Sequence, residues 1–351
     1  MAEKIVQVAN INQDTYAVTG SWITMSSPGA ELSIEKASAD NTIFGVGSFE
    51  SSLPTIASHT VSMSSYIRET AGYKADLKRG GTPVAFTDED MSLVSGTTYA
   101  IDDASKNFFD PRTPVVVEDG GSVVDPEDYT LDHLFGRVTF NSSPVGLVTV
   151  SGASVPTTVF ASANTIDMGQ TANTTDITTF RTAQEDNGWT RHQYSLQNAS
   201  AELSGFYNAS DDFFTILNNN EEILMEVDWA GNGDFVSRGV FRVESISGSG
   251  DVGAPEEASV SMVLSVIEGV LPYSFEIDPT ATQISPAFEL VAQAWLDRQV
   301  IAYRYAPEGL GEDYFQGFAI VSDNSISTSV DGIGELTVEL QGTRELTKID
   351  A

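Results

Sequence analysis

Cysteine is absent from this 351-residue chain. That excludes disulfides and thiolate metal sites and fits a protein made in the cytoplasm, so stability must come from burial and pairing alone. Histidine is almost as scarce, with His59, His133 and His192 the full complement. Each has ordinary polar neighbours and reads as a surface histidine. A zinc site needs three or four suitably spaced ligands, and neither HxxxH nor HExxH occurs. GxSxG, GxxxxGK[ST] and a strand-then-helix GxGxxG are also missing, and no carboxylate pair stands out from the many present. We therefore nominate no catalytic, cofactor-binding or metal residue and expect no enzymatic activity. No apolar run is long enough to span a bilayer, and the opening MAEKIVQVANINQDTY has no apolar core of the kind an export signal needs. Basic residues are few, 17 against 50 acidic ones, for a formal net charge of −33. KADLKRG, Lys74 to Gly80, is the only basic knot, too little to track a nucleic-acid backbone. Two readings of the acidity stay open. One is a soluble or salt-adapted protein; the other is a surface past which nucleic acid must move without sticking.

What is present is alternation. VTVSGASV (Val148 to Val155), ASVSMVLSV (Ala258 to Val266) and GELTVEL (Gly334 to Leu340) read as half-buried strands of period two. Turn signals separate the strands, at Asp119–Gly121, Gly231–Asp234 and Val330–Gly332. Two segments read as helices: SDDFFTILNN, capped by Ser210 or Asp211, and SPAFELVAQAWLDRQ, with Ser285 as cap and Pro286 in the first turn. DWAGNGD, Asp228 to Asp234, partly fits a calcium loop through Asp228, Asn232 and Gly233. However, Ala230 and Gly239 stand where oxygen ligands belong, and a hairpin turn explains the same residues more simply.

The chain also repeats itself. RGVFRVESISGS (Arg238 to Ser249) returns as QGFAIVSDNSIS (Gln316 to Ser327), and each copy sits in the order helix–strand–turn–strand–loop–strand, over Ser210–Gly269 and Ser285–Gly342. A fainter pair lies upstream in Asn41–Ile67 and Asp176–Tyr207, where Phe44 answers Phe180, Leu53 answers Leu196 and Val61 answers Leu203. This predicts a mainly β protein with two β-sandwich or barrel domains, each with a flanking helix, plus a small inserted β module. The expected division is 1–75 as the front half of domain I, 76–153 as the insertion, 154–272 as domain II, and 273–351 as a linker and the back half of domain I.

SLQNASAELSGFYN, FFTILN, RGVFRVESISGSGDV and ASVSMVLSV together resemble the major tail tube protein of long-tailed, siphovirus-like bacteriophages. The second copy, WLDRQVIAYRY, YFQGFAIVSDNSIS and ELTVELQGTREL, resembles the same family, and GRVTFNSSPVGLVTVSG resembles extra β modules of phage tail proteins. The resemblance implies sheets joined edge to edge into six-domain rings, stacked into a tube through which genomic DNA leaves without specific binding. With two domains per chain, the ring would be a trimer with pseudo-sixfold symmetry. The implied partners are further copies of the chain, a tape-measure protein and a tail terminator, and the implied location is the virion tail after synthesis in the host cytoplasm. Arms at Gly45–Ser52 and Thr182–His192 would reach neighbouring subunits, with Trp189 as an anchor. A tail terminator, a baseplate hub component and a type VI-like secretion tube are the alternatives of similar fold. An extracellular β-repeat adhesin is a more distant one.

Overall fold

The computed structural model describes residues 4–25, 29–40, 52–66, 74–163, 165–206, 210–229, 233–249, 257–266, 270–277, 286–309, 311–329 and 335–350. Among these, the first strands are β1 (Ile5–Ala9), β2 (Ile23–Met25), β3 (Gly29–Asp40), β4 (Ser52–Tyr66) and β5 (Lys74–Gly80). Then come β6 (Val84–Ser95), β7 (Thr98–Ile101), β8 (Val116–Asp119), β9 (Ser122–Val123), β10 (Tyr129–Asp132), β11 (Arg137–Phe140) and β12 (Val148–Ser154). The next segment holds β13 (Thr157–Ala163), β14 (Thr165–Asp176), helix α1 (Phe180–Glu185), β15 (His192–Phe206), α2 (Ser210–Asn219), β16 (Glu222–Asp228), β17 (Phe235–Ser249) and β18 (Glu257–Leu264). The chain ends with β19 (Tyr273–Ile277), α3 (Pro286–Leu296), β20 (Ile301–Ala306), β21 (Tyr314–Ser329) and β22 (Glu335–Ile349). The fold is mainly β, as the alternation predicts.

Strands β6 to β12 form a sheet of their own, in the order β10-β11-β7-β6-β12-β8-β9. Its core is built on Phe86, Phe109, Val117, Val138 and Val150. This sheet docks on the β16–β17 hairpin, where Leu134 and Phe135 pack against Leu224 and Val240 and Arg238 lies 4.7 Å from the centre of the Phe135 ring.

The remaining strands separate into two sets with one order. The first runs β3-β4-β22-β21-β20-β1-β2, and the second β14-β15-β18-β17-β16-β5-β13. In the second set β13 pairs with β5 at one end and runs into β14, which pairs with β15 at the other end. Ala163 and Thr165 are two residues apart, a span of at most about 7.6 Å. The two ends of the set therefore meet, and the sheet curls into a barrel around its apolar face. In the first set Met25 and Gly29 are four residues apart, which holds β2 and β3 within about 15 Å of each other.

The two sets agree in register as well as order. Val243 pairs with Met262, and Val321 pairs with Leu340, each exactly matched partner lying 78 positions further on (321 against 243, 340 against 262). A β-bulge follows at the same place in both, between Val243 and Ser245 and between Val321 and Asp323. A bulge adds an unpaired residue and flips the alternation beyond it, so its repetition preserves which side chains face inward. The helices obey the same spacing. Asn220 and Arg298 both take positive φ, at 53° and 56°. Glu221 N–H donates to Ile216 C=O and Gln299 N–H to Ala294 C=O, so each helix ends in a Schellman turn.

The front strands correspond too. The bulge between Ala172 and Thr174 of β14 has its match between Lys36 and Ser38 of β3. Leu203 pairs with Val260, whose counterpart Val338 pairs with Met63. Met63 therefore answers Leu203, and the match to Val61 was two residues out of register. The sequence offers three apolar residues in alternation there, and only the hydrogen-bonded partner decides between them. Phe44 lies outside the described residues, as do Ser285 and the Val330–Gly332 turn.

The expected start of the insertion at residue 76 also needs correction. Lys74–Gly80 pairs with both β16 and β13, so it belongs to the main sheet, and the separate module begins after it. Its charges find partners there: Lys78 is 2.7 Å from Glu226, and Arg79 is 2.9 Å from Glu221. Strand β19 lies in what reads as a linker, and it pairs with β17.

One substitution tests the packing. A methyl on Gly342 would lie 2.2 Å from the buried His59 ring, whereas one on Gly169 would meet nothing closer than 3.5 Å. Gly342→Ala is expected to destabilise the chain by about 1–3 kcal/mol in denaturant melts, and Gly169→Ala by less than about 0.5 kcal/mol.

Candidate assembly junction and acidic sheet face

The two strand sets join through β14 and β21, which pair antiparallel from Thr165–Ser329 to Thr171–Asp323. Strand β21 divides its edge: Phe315 to Ala319 pair with β20, and Asp323 to Ser329 pair with β14. One pair in from the end of the join Asn324 Nδ2 donates to Gln170 Oε1 at 2.8 Å, and both side chains are buried. A buried amide without a partner would cost about 1–3 kcal/mol, so this pair penalises any slipped register. Beside it Tyr194 accepts from Val321 N–H at 3.0 Å and donates to Gln299 C=O at 3.3 Å. Arg298 Nε donates to Gln197 Oε1 at 2.7 Å. Burial pushes the Tyr194 hydroxyl far above its ordinary value, so it stays a neutral donor.

The excursion between β14 and β15 strengthens this join. Thr182–His192 contains the end of helix α1, opened by a capping box between Thr179 and Thr182, and a turn. Sequence alternation hides so short a helix. Trp189, expected to anchor a neighbouring subunit, instead packs within the chain. Its ring meets His59 edge-on at 5.2 Å, Ala57 N–H donates to Gly188 C=O, and Thr190 N–H donates to Ala57 C=O. Arg344 N–H also donates to Thr190 C=O. The arm of the second set thus clamps the first. The other arm, Gly45–Ser52, lies almost wholly outside the described residues.

The join makes one continuous run of strands, β3-β4-β22-β21-β14-β15-β18-β17. Alternate residues point to opposite faces. One face is core: Val61, Met63, Val338, Leu340, Ile326, Ile166, Met168, Leu203, Val260 and Met262 are buried. The other carries Glu31, Glu35, Asp167, Glu202, Asp323, Glu335 and Glu339 among serines and threonines. From β3 to β18, over the span bounded by these acids, no described position of this face is Lys or Arg; in β17 the same face carries Arg242, which pairs with Val263 and lies 2.9 Å from Glu222. Two carboxylate pairs lie directly opposite across strands, Asp167 with Glu202 and Asp323 with Glu339. Like charges so placed destabilise a sheet. The Asp167 carboxyl titrates above its ordinary range, through partial burial first and then the repulsion of Glu202 and Asp323. Which acids share a face depends on register, so the sequence pattern alone could not find this cluster.

The remaining candidates behave differently from one another. His59 and His133 are buried rather than at the surface. His59 lies between Trp189 and Tyr303 in space left by Gly342, and burial pushes its pKa down to about 4. His192 is half-buried and its N–H backbone group donates to Thr343 Oγ1. Asp228 and Phe235 flank a hairpin between paired strands, and Asp228 Oδ2 accepts from Gly233 N–H at 2.9 Å; Ala230 and Asn232 lie outside the described residues. Among the described residues no group of three or more His, Asp or Glu is arranged to hold a metal, and no helix is long and apolar enough to cross a membrane.

No family model matches the chain, and no curated protein matches it. Among solved structures, a chain from the tail of an empty gene transfer agent particle, refined with C6 symmetry, is 17% identical with a TM-score of 0.28. The match covers 34% of this chain and 86% of that one. A chain from the virion of a native gene transfer agent particle gives the same identity and TM-score, covering 43% of this chain and 98% of that one. A TM-score this low carries no functional argument, so the reading below rests on the chain's own geometry.

Two titrations follow. Asp167→Asn removes a repelled carboxylate, so it is expected to raise the melting temperature at neutral pH and weaken its dependence on salt. A fall in melting temperature would mean the carboxylate is compensated. For His59 the folded-state pKa lies below the unfolded value of 6.5, so the unfolded chain binds the extra proton. Stability is present in full above pH 6.5 and is lost as pH falls towards about 4, by up to ~3 kcal/mol. A pH series of melts on the parent and on His59→Gln measures it, and the variant should show a flatter slope.

Proposed function

We propose that this chain is a structural, non-catalytic subunit of a bacteriophage tail tube. In this reading the first strand set with α3 is one tube domain and the second with α2 is another, the second nested in the sequence of the first. Domain I takes 1–73 and the segment after the β19 linker, domain II takes β5 and β13 to β18, and the β6–β12 module is an insertion. Three chains supply six domains to a ring, and rings stack around a channel. The chain's partners are its own copies, with a tape-measure protein and a terminator at the tube's inner and upper limits, and its place is the virion tail after synthesis in the host cytoplasm.

The observation that carries this reading is the repetition of one strand order and register in two sets joined edge to edge, with acids on the face they share. The stretch of this face around the join, acidic and with its nearest cation, Arg242, paired to Glu222, suits the wall of a passage for DNA. Phosphates near it are repelled over roughly 8–10 Å and find no donors to hold them, so the polymer slides without specific binding.

Concentrated recombinant chain provides the test, by negative-stain microscopy and native mass spectrometry. Six-lobed rings or hollow rods are expected, with a ring mass of three copies of 37.6 kDa. Added salt should favour them by screening the acidic face. Rings of six copies, or discrete dimers at every concentration and salt, would sink the proposal.

A further inference from the structure

The join between β14 and β21 has an unused twin. By the correspondences above, β3 answers β14, and β17 answers β21 (35 against 171, 245 against 323). Strand β14 has partners on both sides, β15 and β21, whereas β3 pairs only with β4 among the described residues. Strand β17 pairs with β16 as far as Arg242. From Ser245 to Ser249 its only partner among the described residues is β18. The chain therefore carries both halves of a second join, one on each strand set, and neither is used within the chain.

We propose that these edges pair between copies of this chain, β3 of one with β17 of the next, in the register of the internal join. The inference rests on the tube reading for the number of copies in a ring, and on the internal ladder for the pairing itself. Transferring that ladder sets Glu31 opposite Ser249, Ser33 opposite Ser247, Ile34 opposite Ile246 and Glu35 opposite Ser245 of the second copy.

The side chains at these positions support the pairing. In the internal join each carboxylate faces a hydroxyl, Asp167 against Ser327 and Asp323 against Thr171. The transferred register does the same with Glu31 and Glu35, so no like charges stand directly opposite. One pair in from the end of the ladder, the buried Gln170–Asn324 amide pair becomes Ile34 with Ile246. Ile34 is 50% exposed in the single chain, a large apolar residue on an open edge that another strand would cover. The two pairs are also mutually exclusive. An amide set against isoleucine would be buried without a partner, so the Ile edges select each other and the amide edges stay inside the chain. The contact is head-to-tail, and such contacts either close into a ring or propagate as a filament.

The cysteine-free chain allows a direct test. Opposed residues in an antiparallel ladder alternate between wide and close pairs, so one of two adjacent pairs presents the spacing a disulfide needs. Ser33→Cys is mixed with Ser247→Cys, and separately Ile34→Cys with Ile246→Cys, under mild oxidation at assembling concentration. At least one mixture should give disulfide-linked dimers, about tenfold above the off-register mixture of Ser33→Cys with Ser245→Cys. No dimer from either in-register mixture, or equal yield off register, overturns the proposal. Ile34→Asp gives a second readout, with loss of assembly and an unchanged melting temperature for the single chain; retained assembly would count against it. Failure of the tube reading looks different. With Ser33→Cys and Ser247→Cys in one chain, a terminal closed trimer supports both ideas, whereas an unlimited ladder keeps the pairing and refutes the ring. Hollow rods without any in-register cross-link keep the tube and refute the pairing.

Discussion

An antiparallel ladder satisfies the backbone on its inside and leaves a row of unpaired N–H and C=O groups at each edge. Most of this structure is arranged around that constraint. The second strand set deals with one pair of edges by passing from β13 into β14 within two residues, so that the sheet meets itself, and in the first set the ends of β2 and β3 stand four residues apart. The corner strand then has a free outer edge beyond the barrel. In the second set β21 of the first covers it, and that contact requires β21 to be longer than the partner β20 that it outruns. Strand β17 is nearly as long and carries the same bulge, so the length is common to both sets, and within the described residues only β21 uses it for a join.

Repetition at fixed register gives each set the same skeleton, and the side chains that differ show where the two have been given separate tasks. One residue beyond the ladder pair Gln341–Thr60 the His59 ring fills the space over Gly342, where the second set has Ala199 and Leu264 one residue beyond the pair Ser200–Val263. Large and small have exchanged strands with the filled volume kept, as a packed interior requires. The exchange matters because His59 also forms the floor beneath Trp189, so it belongs to the clamp that only the first set receives. In the helices, the buried Phe213 and Ile216 of α2 stand where α3 has Val291 and Ala294, with Trp295 adding bulk beside them. The side chains change in size while the register and the helix-ending turns stay the same.

Much of this was legible in the sequence, and the losses have physical causes. Alternation marks strands wherever one face is buried, so β6 to β12 and the repeated β16–β18 and β20–β22 hairpins could be read directly. Helices α2 and α3 announce themselves by apolar spacing. Strands β1 and β5 occupy equivalent positions, yet IVQVA and KADLKRG share no pattern, because β5 takes its place through ion pairs to Glu221 and Glu226 as well as through burial. Helix α1 spans less than two turns, β19 has five residues, and neither is long enough to show a period. The counterpart of Leu203 in the first set could be narrowed to an alternating run but not to Met63, since a shift of two preserves every inward-facing side chain. The acidic face was hidden for the same reason: seven carboxylates scattered over five strands share a face only once the registers are known.

The placement of charge argues against solubility as its only purpose. A net charge of −33 would keep the chain dispersed wherever its acids lay, and spreading them would lower their mutual repulsion. The chain does the reverse. Four of its 17 cations lie on the neighbouring strands β5, β16 and β17, where Lys78, Arg79, Arg238 and Arg242 reach Glu221, Glu222 and Glu226. Two of those cations together hold the Glu226 carboxyl below its usual range although its burial works the other way. The stretch of face around the join receives none. There Asp167 opposes Glu202 and Asp323 opposes Glu339 at a separation of about 5 Å, with only hydroxyls between the pairs. Such an arrangement lowers the stability of the isolated chain, and a few cations moved from one hairpin to the other would relieve it. Its retention is intelligible if the face has to stay uniformly negative towards something outside the chain, and a strongly charged polyanion in transit is the kind of neighbour for which that uniformity matters.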